Sequence, residues 1–91
     1  MSNAGFYQAV CAEIIRLLKE ERERRKLSKY TVSKRSGVSQ SMLSLVERGL
    51  RNPTLELALR IADGIGVDLT TLIKKAHTGI SKKNSTVSTE G

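Results

Sequence analysis

The hydrophobic positions of this chain recur every three or four residues, a period that is typical of helices with one buried face. The pattern predicts five helices, at residues 6–26, 29–36, 40–48, 55–64 and 69–76. Polar residues suited to capping a helix amino terminus precede four of them: Ser28, Ser39, Thr54 and Asp68. The sequence therefore predicts an all-α domain at residues 6–77, between a loose segment at 1–5 and a disordered polar tail at 78–91.

Two of the predicted helices carry an apolar stripe that we expect to face the core. In the first helix, the stripe consists of Tyr7, Cys11, Ile14, Ile15 and Leu18 and ends in a cation, Arg22. In the fourth helix, it consists of Leu55, Leu59, Ala62 and Ile65. Phe6 and Val10 lie on one flank of the first helix, where the last helix or a partner chain could cover them. Cys11 is expected to pack as a small hydrophobic residue.

The third predicted helix lies between two glycines and does not separate cleanly into an apolar and a polar face. Leu43 and Val46 point inward, and the carboxylate of Glu47 lies at the margin of the same stripe. The outward face carries Gln40, Ser41, Ser44, Leu45 and Arg48. Taken singly, an exposed leucine is ordinary, and Glu47 could reach water. With basic neighbours, however, an amide, hydroxyls and an apolar tip are what a helix needs in the DNA major groove.

A series of short motifs surrounds this helix. They are Leu27-Ser28, Val32-Ser33, Ser36-Gly37-Val38-Ser39, Leu43-Ser44, Val46-Glu47-Arg48-Gly49 and Arg51-Asn52-Pro53-Thr54-Leu55. Each is weak alone, but together they resemble the Cro/C1-type helix-turn-helix family of phage repressors and their bacterial relatives, over residues 14–72. The resemblance implies a compact five-helix, lambda-repressor-like DNA-binding domain, with the helix-turn-helix formed by the second and third helices.

The resemblance implies a DNA interface with two kinds of contact. Base edges would meet the third, recognition helix through Gln40, Ser41, Ser44 and Leu45. The DNA backbone would meet a second set, Ser28, Lys29, Ser39, Arg48, Arg51 and Asn52. Lys29 stands where the family usually has Gln, but a lysine can still bind a phosphate as a point charge. Ser33 stands where the family prefers Ala because two helices approach closely there, and Ser is nearly as small.

The resemblance also implies an ion pair and a dimer contact. Arg22, late in the first helix, would form a salt bridge with Glu47 and so fix the recognition helix against the first helix. In this family the fifth helix often takes part in the dimer contact, which makes Leu69, Leu72 and Ile73 candidates for dimerisation. The same three residues could instead only close the core of a single chain.

The charge of the chain agrees with a polyanionic partner. The net charge of the 91 residues is +7. The segment from Arg22 to Arg51 carries nine Lys or Arg against two acids, which accounts for the whole excess. A basic stretch can be merely a solvated face, but its coincidence with the motifs favours phosphate binding.

The sequence argues against several other classes of protein. One cysteine cannot form an intrachain disulfide, and the cysteine, the single histidine and nine acids have no metal-ligand spacing. There is no phosphate loop and no nucleophile–base constellation, so we expect a protein that is not an enzyme and uses no cofactor or metal. No hydrophobic run of membrane-spanning length and no signal peptide is visible, so the expected location is cytoplasmic. Ser2-Asn3-Ala4 resembles a tag remnant, although Met1 precedes it.

Two functions from different classes fit these observations. The first is a sequence-specific transcriptional regulator, a repressor or autoregulator, which binds double-stranded DNA as a homodimer on a palindromic operator. The alternative is an antitoxin or another protein-interaction module on the same fold, with a toxin or other protein as its partner. The alternative needs surface for that partner, and the spare segments are residues 1–10 and the polar tail. A binding assay on the gene's own promoter, beside copurification of a toxin, separates the two.

Overall fold

The computed structural model describes residues 4–89, and the side chains of residues 5–82. It contains five helices: α1 (Ala4–Arg24), α2 (Lys29–Ser36), α3 (Gln40–Glu47), α4 (Leu55–Ile65) and α5 (Leu69–Thr89). No strand occurs in the described part of the chain. The predicted all-α, five-helix class is therefore confirmed. Within the same part, no helix combines the length and the apolar character needed to cross a bilayer.

The helices pack around one core. Helix α1 lies along α5, α2 lies along α4, and α3 contacts both α1 and α2. The largest fully buried side chains are Val32, Leu43, Val46, Ile61 and Ile65. They come from α2, α3 and α4, so the core fixes the three helices that form and support the predicted DNA interface.

Short polar side chains begin four of the helices, as the sequence predicts. At the start of α5, Asp68 Oδ1 accepts a hydrogen bond from the Thr70 N–H at 3.0 Å. The hydroxyls of Ser28, Ser39 and Thr54 each accept a hydrogen bond from the backbone N–H three residues further along the chain, at 3.0–3.1 Å. Each cap satisfies one of the donors that a helix amino terminus leaves free. The amino-terminal ends of α2, α3 and α4 are thus fixed by local side-chain hydrogen bonds.

Helix α1 ends two residues before the predicted position, in a left-handed turn without glycine. Lys26 has φ +57°, and the N–H of Leu27 donates to the carbonyl of Arg22 at 3.0 Å. This backbone conformation is ordinarily taken by glycine at a helix carboxyl terminus, because a side chain is strained there. The turn delivers the chain directly to the Ser28 cap of α2.

The buried face of α1 differs from the predicted stripe. Val10, Leu17 and Leu18 are buried, whereas the Tyr7 side chain is 58% exposed and Cys11 is also exposed. The predictions that these two residues face the core, and that Cys11 packs there, are wrong. The reason is that α5 covers the other flank of α1, with the rings of Phe6 and His77 in edge contact at 5.3 Å between centroids. Of the alternatives for these two residues, the last helix covers Phe6, and Val10 is buried within the single chain.

The buried face of α4 also differs from the predicted one. Leu55 is 68% exposed and Leu59 is 51% exposed, so their predicted core positions are wrong, whereas Ala62 and Ile65 are buried as expected. Small residues account for the difference, because α2 and α4 approach each other closely at Ser36 and Gly64. A Cβ atom added to Gly64 would lie 3.0 Å from the Ser36 Cβ and 3.0 Å from the Val32 carbonyl oxygen. This contact turns the Ala-Gly side of α4 inward and leaves the two leucines outside.

Helix α5 continues well beyond its predicted end at Ala76. It runs to Thr89, and Ile80 packs against the core one turn after the buried Ala76. The prediction that regular structure stops after residue 77 is therefore wrong over the described residues, because Ile80 extends the apolar face of the helix. At the other end, the predicted loose segment is helical from Ala4 onward, and residues 1–3 lie outside the described residues, as do 90 and 91.

Candidate nucleic-acid interface

The angle between α2 and α3 is set by the short turn Gly37-Val38-Ser39. Gly37 takes the left-handed conformation with φ +77°, which ends α2. The hydroxyl of the buried Ser36 then accepts a hydrogen bond from the Val38 N–H at 3.1 Å, and Val38 is itself buried. The turn is thus fixed by the hydrogen bond from its backbone to Ser36 and by the burial of the Val38 side chain. This arrangement of two short helices is a helix-turn-helix.

The outward side of α3 presents four of the predicted base contacts, which we call the reading face: Gln40, Ser41, Ser44 and Leu45. Gln40 and Ser41 are exposed in the first turn of the helix, and neither side chain forms a hydrogen bond within the described part of the chain. Ser44 and Leu45 lie one turn further along and are half-buried. The face can therefore offer an amide, a free hydroxyl and an apolar surface to base edges.

The opposite side of α3 is fixed to α1 by the ion pair that the sequence analysis predicts. Arg22 Nε donates to Glu47 Oε2 at 2.6 Å, and Arg22 Nη2 donates to Glu47 Oε1 at 3.0 Å. The side chains are only 10% and 5% exposed, and Arg22 Nη1 also donates to the Leu27 carbonyl at 2.8 Å. The hydrogen bond with Glu47 raises the pKa of Arg22, although burial acts in the opposite direction. Glu47 therefore lies inside the domain and adds no negative charge to the reading face.

The two capping serines at the predicted DNA backbone contacts differ in what they can still offer. Ser39 accepts from the Met42 N–H, and its own hydroxyl proton remains available to a phosphate oxygen. Ser28 accepts from the Thr31 N–H but also donates to the Thr31 hydroxyl at 3.0 Å. In this arrangement Ser39 is the better phosphate donor of the two. Both lie at helix amino termini, where free backbone N–H groups favour anions.

The remaining predicted backbone contacts are cationic or amide side chains on both sides of the reading face. Arg48, Arg51 and Asn52 are exposed in the segment that joins α3 to α4. Lys29, at the start of α2, is half-buried, and its Nζ donates to Ser44 Oγ at 3.2 Å. Lys29 therefore reaches across to α3, a contact that its position in the sequence gave no reason to expect.

The positive charge near this face is partly neutralised inside the protein. Of the nine cations from Arg22 to Arg51, Arg22 is paired with Glu47, and Arg24 and Arg25 are paired with Glu21 on α1. These contacts lower the pKa of Glu21, chiefly through its hydrogen bond from Arg24. The other six cations have no carboxylate partner in the described part of the chain: Lys26, Lys29, Lys34, Arg35, Arg48 and Arg51. Lys34 lies over the ring of the exposed Tyr30, 5.7 Å from its centroid.

A second surface, which the sequence analysis missed, is an open cleft of about 240 Å³ between α1, α4 and α5. We call it the apolar cleft, and its walls include Ile14, Leu18, Leu55, Ala58, Leu69 and Ile73. Of the predicted dimerisation residues, Leu69 and Leu72 are buried in the core of the single chain, and only Ile73 is exposed. In the sequence, Leu55 and Leu59 of α4 could have indicated an apolar surface, but their helical spacing predicted that they lie in the core.

Comparison with known protein families agrees with this geometry. A family described as helix-turn-helix matches residues 18–72, which is more than half of the chain. The chain therefore belongs to the helix-turn-helix family, in its Cro/C1 type, and is a DNA-binding protein of the transcriptional-regulator kind. No curated protein and no solved structure matches the chain.

Proposed function

We propose that this protein is a repressor that binds a palindromic operator in double-stranded DNA as a homodimer. The observation that carries the proposal is the reading face, which contains no acidic residue and is flanked by unpaired cations. The buried Arg22–Glu47 pair fixes the helix that presents this face against α1. A recognition helix must be rigidly mounted to discriminate between sequences, because base contacts are useful only in one register.

Each part of the interface has a distinct role in the proposal. Gln40 pairs with adenine through its N6 and N7 groups, and Leu45 packs against a thymine methyl group. Ser41 donates or accepts at a neighbouring base. Arg48, Arg51, Asn52 and the hydroxyl of Ser39 hold phosphates on either side, which positions α3 without specifying sequence.

A second copy of the chain is the partner that fits the apolar cleft. Pro53 and Asn52, which is itself a predicted phosphate contact, both line the cleft. A second copy seated there would therefore lie along the same duplex. In a symmetric dimer, the same face of each chain must carry both the protruding side chains and the cleft that receives them. Leu55 and Ile73 are exposed and line the cleft, so in the proposed dimer those of one chain enter the cleft of the other. In the proposed complex the two recognition helices lie about 34 Å apart, one turn of DNA.

The alternative function, an antitoxin or protein-interaction module, has less support from the structure. Its partner would need the segments at either end of the domain. Val10 is buried, Phe6 packs against His77, and Ile80 packs against the core. Over the described residues these segments complete the fold of the single chain.

Selection of bound duplexes from a random library, followed by sedimentation on the selected site, tests the proposal. We expect an inverted repeat with half-sites about 10 base pairs apart, and two chains per duplex. Leu55→Glu, at an exposed residue that lines the cleft, should weaken this assembly, whereas Tyr7→Glu, a similarly exposed control on α1, should not. The absence of any enriched sequence would overturn the proposed function. One chain per operator at saturation would overturn the homodimer.

A further inference from the structure

The ammonium group of Lys29 lies on the reading face of α3 instead of at the outer edge of the domain. Its Nζ is 3.2 Å from Ser44 Oγ, so a hydrogen bond joins the first residue of α2 to the fifth residue of α3. Both side chains are half-buried. The lysine stem therefore follows the surface between the two helices, and the position of its charge is fixed by α3.

Ser44 lies in the same row of α3 as Gln40, one turn further along, because side chains four residues apart share a helix face. The Lys29 ammonium is consequently a neighbour of the row that faces base edges. An ammonium group carries three donors and no acceptor. Ser44 takes one of these donors, which leaves two for acceptors in a major groove.

We infer that Lys29 is a specificity-determining residue, positioned by Ser44 so that its ammonium contacts O6 and N7 of a guanine. The inference rests on the proposed function, because Lys29 meets a base only if α3 enters the major groove. Guanine presents two acceptors at the groove edge, whereas adenine presents an amino donor beside its acceptor. The sequence analysis assigned Lys29 to the DNA backbone. The Ser44 hydrogen bond holds the ammonium beside the row of α3 that faces base edges, which favours the base.

The test compares variants on the selected operator, on a random duplex and on operators with one guanine at a time replaced by 7-deazaguanine, which lacks N7. For the wild-type chain, one such replacement should weaken binding roughly tenfold to a hundredfold. Lys29→Ala should weaken operator binding to a similar extent and should then be insensitive to that replacement. Lys34→Ala is the matched control, since it removes an equal charge from the same helix. It should weaken binding to the operator and the random duplex by the same factor and keep the sensitivity to 7-deazaguanine.

Ser44→Ala tests the positioning step. It should reduce the penalty of the same 7-deazaguanine replacement. The Lys29→Ala/Ser44→Ala double variant should lose no more discrimination at that guanine than Lys29→Ala alone. A full penalty retained by Ser44→Ala would overturn the role of Ser44.

The outcomes also separate this inference from the proposed function. If the wild-type chain selects a sequence but Lys29→Ala weakens operator and random duplex equally, Lys29 is a phosphate contact and the inference is overturned alone. If the wild-type chain selects no sequence, the proposed function fails, and the specificity role of Lys29 fails with it.

Discussion

The Arg22 side chain of α1 and the Glu47 side chain of α3 are joined by two hydrogen bonds, across 25 positions of sequence. The arrangement is bidentate, and the guanidinium has a third bond to the Leu27 carbonyl just after the end of α1. Arg22 therefore links α1, the turn before α2, and the last residue of α3. Bidentate arginine–carboxylate pairs are geometrically specific, so this link fixes the orientation of the recognition helix as well as its position.

Glu47→Ala should lower the free energy of unfolding by roughly 3–5 kcal/mol, because it leaves a buried guanidinium without its carboxylate. Chemical denaturation measures the change. Glu56→Ala is the matched control, since it breaks the Arg60–Glu56 pair, whose side chains are 53% and 74% exposed. That variant should cost less than about 1 kcal/mol. Equal losses for the two variants would show that the Arg22–Glu47 pair is not buried in solution.

Gly64→Ala should destabilise the domain by about 1–3 kcal/mol, because the new methyl group would meet Ser36 and the Val32 carbonyl at the α2–α4 contact. Helix α2 carries the start of the helix-turn-helix, so DNA affinity should fall as well. Gly79→Ala is the control, since an added Cβ on that helical glycine meets nothing within 4 Å. It should stabilise the chain slightly through helix propensity. Thermal unfolding of both variants measures these changes. Melting temperatures that shift in the same direction for the two variants would contradict the prediction.

Gln40→Ala should distinguish contacts with the bases from contacts with the DNA backbone. Loss of the amide should cost about 1–3 kcal/mol on the operator and little on random DNA. Arg51→Ala, in the loop after α3, should instead weaken both by a similar factor and reduce the salt slope by about one per protomer. Fluorescence anisotropy across a salt series measures both effects. If Gln40→Ala lowers the two affinities alike, α3 does not read sequence, and the protein-interaction function becomes the better hypothesis.

Lys26→Gly should raise the free energy of unfolding by about 0.5–1 kcal/mol, because glycine takes the left-handed conformation at the end of α1 without strain. Lys26→Ala removes the same charge but keeps the strain, so it should give no such gain. Comparing the two by urea denaturation isolates the backbone effect. A gain shared by both variants would mean that the charge, and not the backbone, is responsible.

The helix-turn-helix itself could be predicted because its signals are local. Ser28, Ser39 and Gly37 act through bonds to residues within four positions, and such bonds are readable from spacing alone. The inner faces of α1 and α4 could be predicted less well. A helical period locates an apolar stripe, but the neighbouring helix decides which edge of that stripe is buried. The side chains of Leu55 and Leu59 outweigh Ala58 in any hydrophobicity count, yet the smaller residue allows the closer packing.

The contacts within the predicted DNA interface also differ in how far the sequence could predict them. The Arg22–Glu47 pair could be anticipated because two misplaced charges on separate helices needed partners. The hydrogen bond from Lys29 to Ser44 could not, since it depends on the distance between α2 and α3 and on the conformation of a long, flexible side chain. The apolar cleft was missed because the helical period placed Leu55 and Leu59 in the core, whereas the structure leaves both exposed and Leu55 lines the cleft.

The ion pairs of α1 also determine how many small cations DNA would release when the protein binds. Only side chains that can replace a condensed counterion at a phosphate contribute to that release. Arg22 is paired with Glu47, and Arg24 and Arg25 share Glu21, which leaves six of the nine cations of the segment without a carboxylate partner in the described part of the chain. If each of these six cations contacted one phosphate, together they would contribute about 5 to the slope of log affinity against log salt concentration per protomer, where nine free cations would contribute about 8. Affinities at low and at physiological salt should therefore differ less than the composition of the basic segment suggests.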